Sequence, residues 1–433
     1  MGVFDYKRYH FIGIGGIGIS AVAKMLSLKG KKITGSDIGN SEITNDLEKL
    51  GIKIFIGQKA ENLEEGVEAV IYNMAIKEDN PEMIEAKKRG LPGFSYPQTL
   101  GELSQKMCTL AISGTHGKTT TTAMVSHILR KAGMDPTVII GSKIIGENTN
   151  FVAGNSKYLV VEACEYKRSF LNLSPSVLAI TNIEADHLDY YKDINDIKNA
   201  FREMAKKVPA TGFIVANLAE QNTKDVLAGI KANILDYNSV KMEGNTGICG
   251  GFNILDAETA IKIAETLGID EKTAIKHLSD FKGTWRRLEF KGEKNGNIFY
   301  DDYAHHPTEI KASLSALREK HPDREIVCVF EPHQQGRTKL FFNDFVGALK
   351  LADRVFIAPI FITREINDGI TTNKTLSGAV NKFVPAFSVE NAGELKKYLE
   401  NTKHTRPLCV VLMGAGNIYK WTSQFLATNK KIN

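Results

Sequence analysis

Nothing in this sequence offers a membrane-spanning helix: no apolar run approaches the roughly 20 residues needed to cross a bilayer. Cysteine is scarce and dispersed. Cys108, Cys164, Cys249, Cys328 and Cys409 never fall in a CxxC pair, which argues against a zinc site or a disulfide framework and for small buried hydrophobes. A strong charge of one sign is also missing. The net +5 is mild and spread along the chain, so it marks no nucleic-acid partner, though it suits small polyanionic substrates. Met1 to His10 lack the apolar core of a secretory signal, and cytoplasmic residence without membrane association is the expectation. Neither a solenoid-period repeat nor a low-complexity linker appears.

What is present is length and a recurring pattern. A chain of 433 residues exceeds one ordinary core and suggests about three domains. Strand, glycine-containing turn and helical pattern follow one another repeatedly, the mark of α/β architecture with parallel sheets. The expected strands are Tyr9–Ile12, Thr109–Ile112, Tyr158–Val161, Val177–Thr181, Ile298–Asp301, Ile326–Phe330, Val355–Ile357 and Leu408–Met413. The reading is a three-domain α/β chain: Rossmann-like at 1–107, a central P-loop ATPase-type parallel sheet at 108–284, and Rossmann-like again at 285–433.

Ser113-Gly114-Thr115-His116-Gly117-Lys118-Thr119-Thr120 lies between an apolar strand and an amphipathic helix that should end near Gly133. Glycines there let backbone N–H groups turn toward phosphate oxygens, and the helix N-terminus adds positive potential. Lys118 would reach the β- and γ-phosphates, and the Thr119 hydroxyl would face Mg²⁺. The strict GxxxxGK[ST] pattern needs a glycine where Ile112 stands, so this loop is tighter. Two stations follow on neighbouring strand ends, Glu162 and the run Asn182 to His187. In a parallel sheet both open on the phosphate-loop edge, where a carboxylate completes a Mg²⁺ site and an imidazole serves a metal or the phosphoryl group.

Gly13, Gly15 and Gly18, with Gly16 between them, form GxGxxG after the first strand; Ser36 and Asp37 stand about twenty residues on. By spacing alone this is a dinucleotide fingerprint. A dehydrogenase would use it and leave Lys118 and Glu162 idle. A nucleotide switch or transport ATPase would use Lys118 and leave the first loop idle. Two separate loops ask for two nucleotides.

GTHGKTTTTAM, VVEACE and TNIEADHLD, in this order and spacing, resemble the Mur ligases over nearly the whole chain. The resemblance implies an ADP-forming amide-bond ligase of peptidoglycan synthesis in which Lys118, Glu162, His187 and Arg287 are catalytic. Thr119, Glu162 and His187 would hold Mg²⁺. ATP would meet Gly114, Thr115, His116, Gly117, Lys118, Thr119, Thr120, Asn253, Arg287 and Asp302. The first loop, with Gly13, Gly15, Gly16, Gly18, Ser36 and Asp37, would hold a UDP-sugar rather than NAD. His305, His333 and Arg337 would grip the amino acid. Within the family the likeness is to members that add L-alanine to UDP-N-acetylmuramate, acting as monomers or homodimers. Later-acting members carry a lysine about fifteen residues beyond the metal-site histidine, where this chain reads Ala200-Phe201-Arg202-Glu203. Departures occur at Asn73-Met74 (small hydroxyl residues are usual), at Phe252 (histidine), at Asp256 (asparagine) and at Gln334 (arginine in some members). Asp302 could hold the ribose or orient the next helix, and His305 and His306 could serve at that helix start.

Overall fold

The structure is a computed structural model that describes residues 1–240, 251–362, 369–402 and 404–426, without the side chains of Gly251 and Phe252. The expectations for Cys249 and for the Phe252 side chain therefore lie outside the described residues. Three sheets are present among the described residues. The first is wholly parallel, in the order Lys53–Ile56, Lys32–Asp37, Arg8–Ile12, Ala69–Tyr72, Gly93–Ser95. Its central strand is buried on both faces from Tyr9 to Ile12, with Phe11 and Ile12 fully buried, as a sheet covered by helices on both sides requires.

The second sheet runs Asn233–Asp236, Phe213–Ala216, Val177–Ile180, Cys108–Ser113, Tyr158–Glu162, Thr137–Ile144, Thr149–Val152, with only the last pair antiparallel. The third runs Glu289–Lys294, Asn297–Asp302, Leu408–Met413, Glu325–Phe330, Arg354–Ile357, Ala386–Ser388, and its first strand is antiparallel. Every residue of Leu408–Met413 and Glu325–Phe330 is buried, and the two strands lie side by side at the middle of that sheet. The expected α/β architecture with parallel sheets is present, and a hairpin adds an antiparallel strand at one edge of the second and of the third sheet. Asn295 and Gly296, both at positive φ (53° and 77°), make one of those turns, the Asn-Gly combination that a tight hairpin favours.

The first two sheets belong to one compact unit, residues 1–240 with 255–282; the third belongs to another, residues 251–254 with 283–426. No helix among the described residues is long and apolar enough to cross a membrane. The four described cysteines are free thiols. Cys328 and Cys409 are buried as expected, whereas Cys164 is exposed because it lies on the open segment beyond a strand end.

One buried acid gives a stability prediction. Asp301 is 1% exposed and accepts from the Thr422 hydroxyl, and burial pushes its carboxyl up from 3.8 to about 6. Between those two values the folded chain keeps a proton that the unfolded chain has released, so stability falls as pH rises through that window. Asp301→Asn should melt higher than the parent near pH 7, by up to about 3 kcal/mol, and match it near pH 4. Thermal melts across that range check this; a variant that melts lower at neutral pH would refute it.

Candidate active site

The second sheet's central strand, Cys108–Ser113, delivers the chain into the Gly114–Gly117 loop, and the helix Lys118–Lys131 leaves it. The loop cannot tolerate side chains at its glycines. Gly114 has φ +137°, and a Cβ there would lie 2.0 Å from Thr181 Oγ1; Gly117 has φ +83°, and a Cβ would lie 2.2 Å from Asp256 Oδ1. The next strand end staples the loop from below. Thr115 N–H donates to the Asn182 carbonyl (3.0 Å) and His116 N–H to Asn182 Oδ1 (2.9 Å). Ala132 and Gly133 end the helix, the glycine at φ +76°.

Thr119 Oγ1 donates to Glu162 Oε2 at 2.9 Å, and Gly141 N–H donates to the same oxygen at 2.8 Å. A hydroxyl and a carboxylate in contact at a helix start are hard oxygen donors of the kind Mg²⁺ selects. Lys118 takes a different partner. Its ammonium donates to the Gly114 and Thr115 carbonyls (2.6 and 3.0 Å) and pairs with Glu165 Oε2 at 3.0 Å. His187 Nε2 stands 3.5 Å from Glu165 Oε1, its ring tilted on Tyr166 at 4.7 Å between centroids. Burial works against both charges of the Lys118–Glu165 pair. Their mutual field wins, raising the lysine's pKa and holding the carboxyl below its usual range, with His187 adding to the latter.

Glu165 was not singled out by sequence reasoning, although it lies within VVEACE. Asp256, where asparagine is usual, is 7% exposed, accepts from Thr121 Oγ1 at 3.1 Å, and packs against Gly117, so it braces the phosphate loop. Asn253 is half-buried near the start of the helix Gly251–Glu265.

In the first sheet the glycine loop follows Arg8–Ile12, where the strand order reverses, the place at which open α/β sheets bind ligands. Gly13 and Ile14 N–H groups both donate to the Ser36 carbonyl (2.9 and 3.0 Å), and Gly15 N–H donates to Asp37 Oδ2 at 2.8 Å. A Cβ on Gly16 would lie 2.3 Å from Asn73 Nδ2, and one on Gly18 would lie 2.6 Å from the Tyr96 hydroxyl. Ser36 is fully buried and its hydroxyl donates to Glu82 at 2.6 Å, so its side chain faces inward rather than toward a ligand.

In the other compact unit, His305, His333 and Arg337 come together. The rings of His305 and His333 are 5.9 Å apart, and Arg337 lies 3.5 Å from His333 Nδ1. Glu309 gathers the neighbouring groups: His305 Nδ1 at 3.1 Å and Arg287 at 3.7 Å. Arg286, by contrast, is 3% exposed, donates to the Gly414 carbonyl and lies 4.4 Å from the Tyr419 ring centre, so it is structural. Of the roles open to the two histidines, His306 caps the helix Pro307–Lys320 in a capping box with Glu309. Asp302 is likewise 3% exposed and accepts from Ser313 and the Ala304 N–H; burial raises its pKa. The Ser313 contact ties this strand end to the helix Pro307–Lys320.

Three α/β sheets, a glycine-rich phosphate loop with acids on adjoining strand ends, and a second glycine loop at a switch point define a multidomain nucleotide-using enzyme. The family is settled by matches along the chain: residues 8–107 to "Mur ligase family, catalytic domain", 112–276 to "Mur ligase middle domain" and 286–416 to "Mur ligase, glutamate ligase domain". The chain belongs to the Mur ligases. It is 39% identical to the UDP-N-acetylmuramate–L-alanine ligase of Clostridium tetani, across 98% of this chain and 99% of that one. The corresponding enzyme of Caldanaerobacter subterraneus is also 39% identical, with 98% of both chains covered. Among solved structures, the UDP-N-acetylmuramate–alanine ligase of Thermotoga maritima superposes with TM-score 0.81 at 28% identity, covering 97% of this chain and 98% of that one. A murein peptide ligase from Psychrobacter arcticus gives 0.73 at 25% identity, with the same coverage.

Proposed function

We propose that this enzyme joins L-alanine to the lactyl carboxylate of UDP-N-acetylmuramate, releasing ADP and phosphate, in peptidoglycan precursor synthesis. The observation that carries the reading is the phosphate loop with its two separate acids, Glu162 on Thr119 and Glu165 on Lys118, in a chain similar throughout to L-alanine-adding relatives.

A carboxylate and an amine do not condense at neutral pH without activation. The lactyl carboxylate oxygen attacks the γ-phosphorus of ATP, the bond to the β-phosphate oxygen breaks, and ADP leaves. The alanine nitrogen then attacks the acyl carbon, loses a proton and expels phosphate. Phosphoryl transfer needs positioning and charge neutralisation more than covalent help. Lys118 supplies a cation at the phosphate loop; Gly114, Thr115, His116, Gly117 and Thr120 are assigned to the cradle around it. Mg²⁺ would be held by Thr119 and Glu162, with His187, whose ring lies against Glu165, as the third assigned ligand, and would supply further charge neutralisation. Asn253, Arg287 and Asp302 are assigned to ATP, and Asp302 on this reading acts by ordering the turn around it. Gly13, Gly15, Gly16, Gly18 and Asp37 are assigned to the UDP-sugar; His305, His333 and Arg337 are assigned to alanine. Cytoplasmic residence belongs to the same reading.

ADP release with UDP-N-acetylmuramate and each of L-alanine, glycine, L-serine and a tripeptide tests it. L-Alanine should give the highest kcat/KM. Preference for the tripeptide would move the enzyme to another branch of the family.

A further inference from the structure

Behind the first glycine loop lies a polar network that no assignment so far uses. Glu82 is the second residue of the helix Pro81–Lys88, whose start is capped by Asn80, and its side chain is fully buried. One carboxylate oxygen accepts from Ser36 Oγ at 2.6 Å, the other from Asn62 Nδ2 at 2.5 Å. His10, also fully buried, brings Nε2 to 3.7 Å and holds Thr34 Oγ1 at 2.8 Å through Nδ1. Asn62 reaches on to the Gly57 carbonyl at 2.8 Å. A carboxylate taken out of water is retained only where donors surround it, and here every group facing it can donate.

The network reaches the glycine loop through Ser36. Ser36, whose hydroxyl Glu82 holds, is the residue whose carbonyl accepts from both Gly13 and Ile14, and its successor Asp37 accepts from Gly15. A shift of Ser36 would therefore move three amide anchors of the loop at once. We propose that Glu82 is a positioning residue for the glycine loop, acting through Ser36 to fix the amides that receive the substrate's diphosphate. The assignment of that substrate to this loop rests on the proposed function; the order of the loop itself does not.

Glu82→Gln keeps the shape but turns one acceptor into a donor facing other donors. Hydrogen exchange of the Gly13–Gly18 segment should then speed up in the ligand-free protein, while the Lys118 segment exchanges as before. The KM for UDP-N-acetylmuramate should rise about tenfold, with kcat and the KM for ATP kept. Ser36→Ala should do the same, and the double variant should be no worse than either single one. Unaltered exchange at Gly13–Gly18, or additive effects of the two substitutions, overturns the proposal. So does a uniform fall of all kinetic parameters together with a lower melting temperature, since that marks a merely structural role. If the parent protein binds no UDP-sugar by calorimetry, the proposed function falls, and the exchange experiment still decides about Glu82.

Discussion

Lys118→Met should lower kcat/KM for ADP release by about 10³-fold or more while leaving binding of the UDP-sugar intact. A cation placed where charge spreads over transferred phosphoryl oxygens is worth several powers of ten in a site of low polarity. Methionine keeps the length and loses the charge. The substitution also strands Glu165, whose buried carboxylate pairs with this ammonium at 3.0 Å, and a buried charge left without its partner costs about 3–5 kcal/mol. A fall in activity could then be mistaken for a fall in stability. The double variant Lys118→Met/Glu165→Gln separates the two, because it removes both charges: melting should recover and turnover should not. The pH dependence offers a second view. Glu165 has its folded pKa below the ordinary 4.5, so the pair stabilises above that value, and the gain fades as pH falls through the lowered one. In the single variant that acid-side loss should disappear. Turnover within tenfold of the parent in a well-folded Lys118→Met protein would sink the assignment of ATP to this loop.

The parts of this site that sequence made legible are those whose chemistry is local. Gly114 to Thr119 read as a phosphate loop because glycines, lysine and hydroxyl stand next to one another between a strand and a helix, and the strand Cys108–Ser113 and the helix Lys118–Lys131 do flank that loop. Glu165 was hidden for a geometric reason. Three residues beyond Glu162, it points back at Lys118 only because the chain turns sharply afterwards, with Lys167 and Arg168 both at positive φ (52° and 56°), and neither residue type announces that conformation. Ser36 was misleading in the opposite way. At the end of a strand beside a glycine loop a serine reads as a ligand contact, yet its partner is Glu82, 46 residues away, and no spacing rule joins them. Asp256 stands 135 residues from Thr121 and shows the same limit: pairing across that separation is set by packing of the helix Gly251–Glu265, not by local pattern.

At the amino-acid end, Arg337→Ala should raise the KM for L-alanine roughly 100-fold, with kcat at saturating alanine and the KM values for ATP and UDP-N-acetylmuramate kept. A guanidinium can meet a carboxylate with two parallel charge-assisted hydrogen bonds, each worth about 1.5–3 kcal/mol, and alanine offers few other handles. The platform beneath Arg337 is stiff. Gln334 is held at φ +68° before the helix Gln335–Leu340, its N–H donates to the Phe361 carbonyl at 2.9 Å, and the Phe361 N–H returns a bond to Pro332 at 2.8 Å. His333 stacks on the Phe361 ring at 5.7 Å, and its Nδ1 stands 3.5 Å from the guanidinium. Arg337→Lys keeps the charge and loses the parallel geometry, and it should recover only part of the loss. An alanine KM that stays put while the ATP KM climbs would transfer this arginine to the nucleotide and leave His305 and His333 as the groups that select the amino acid.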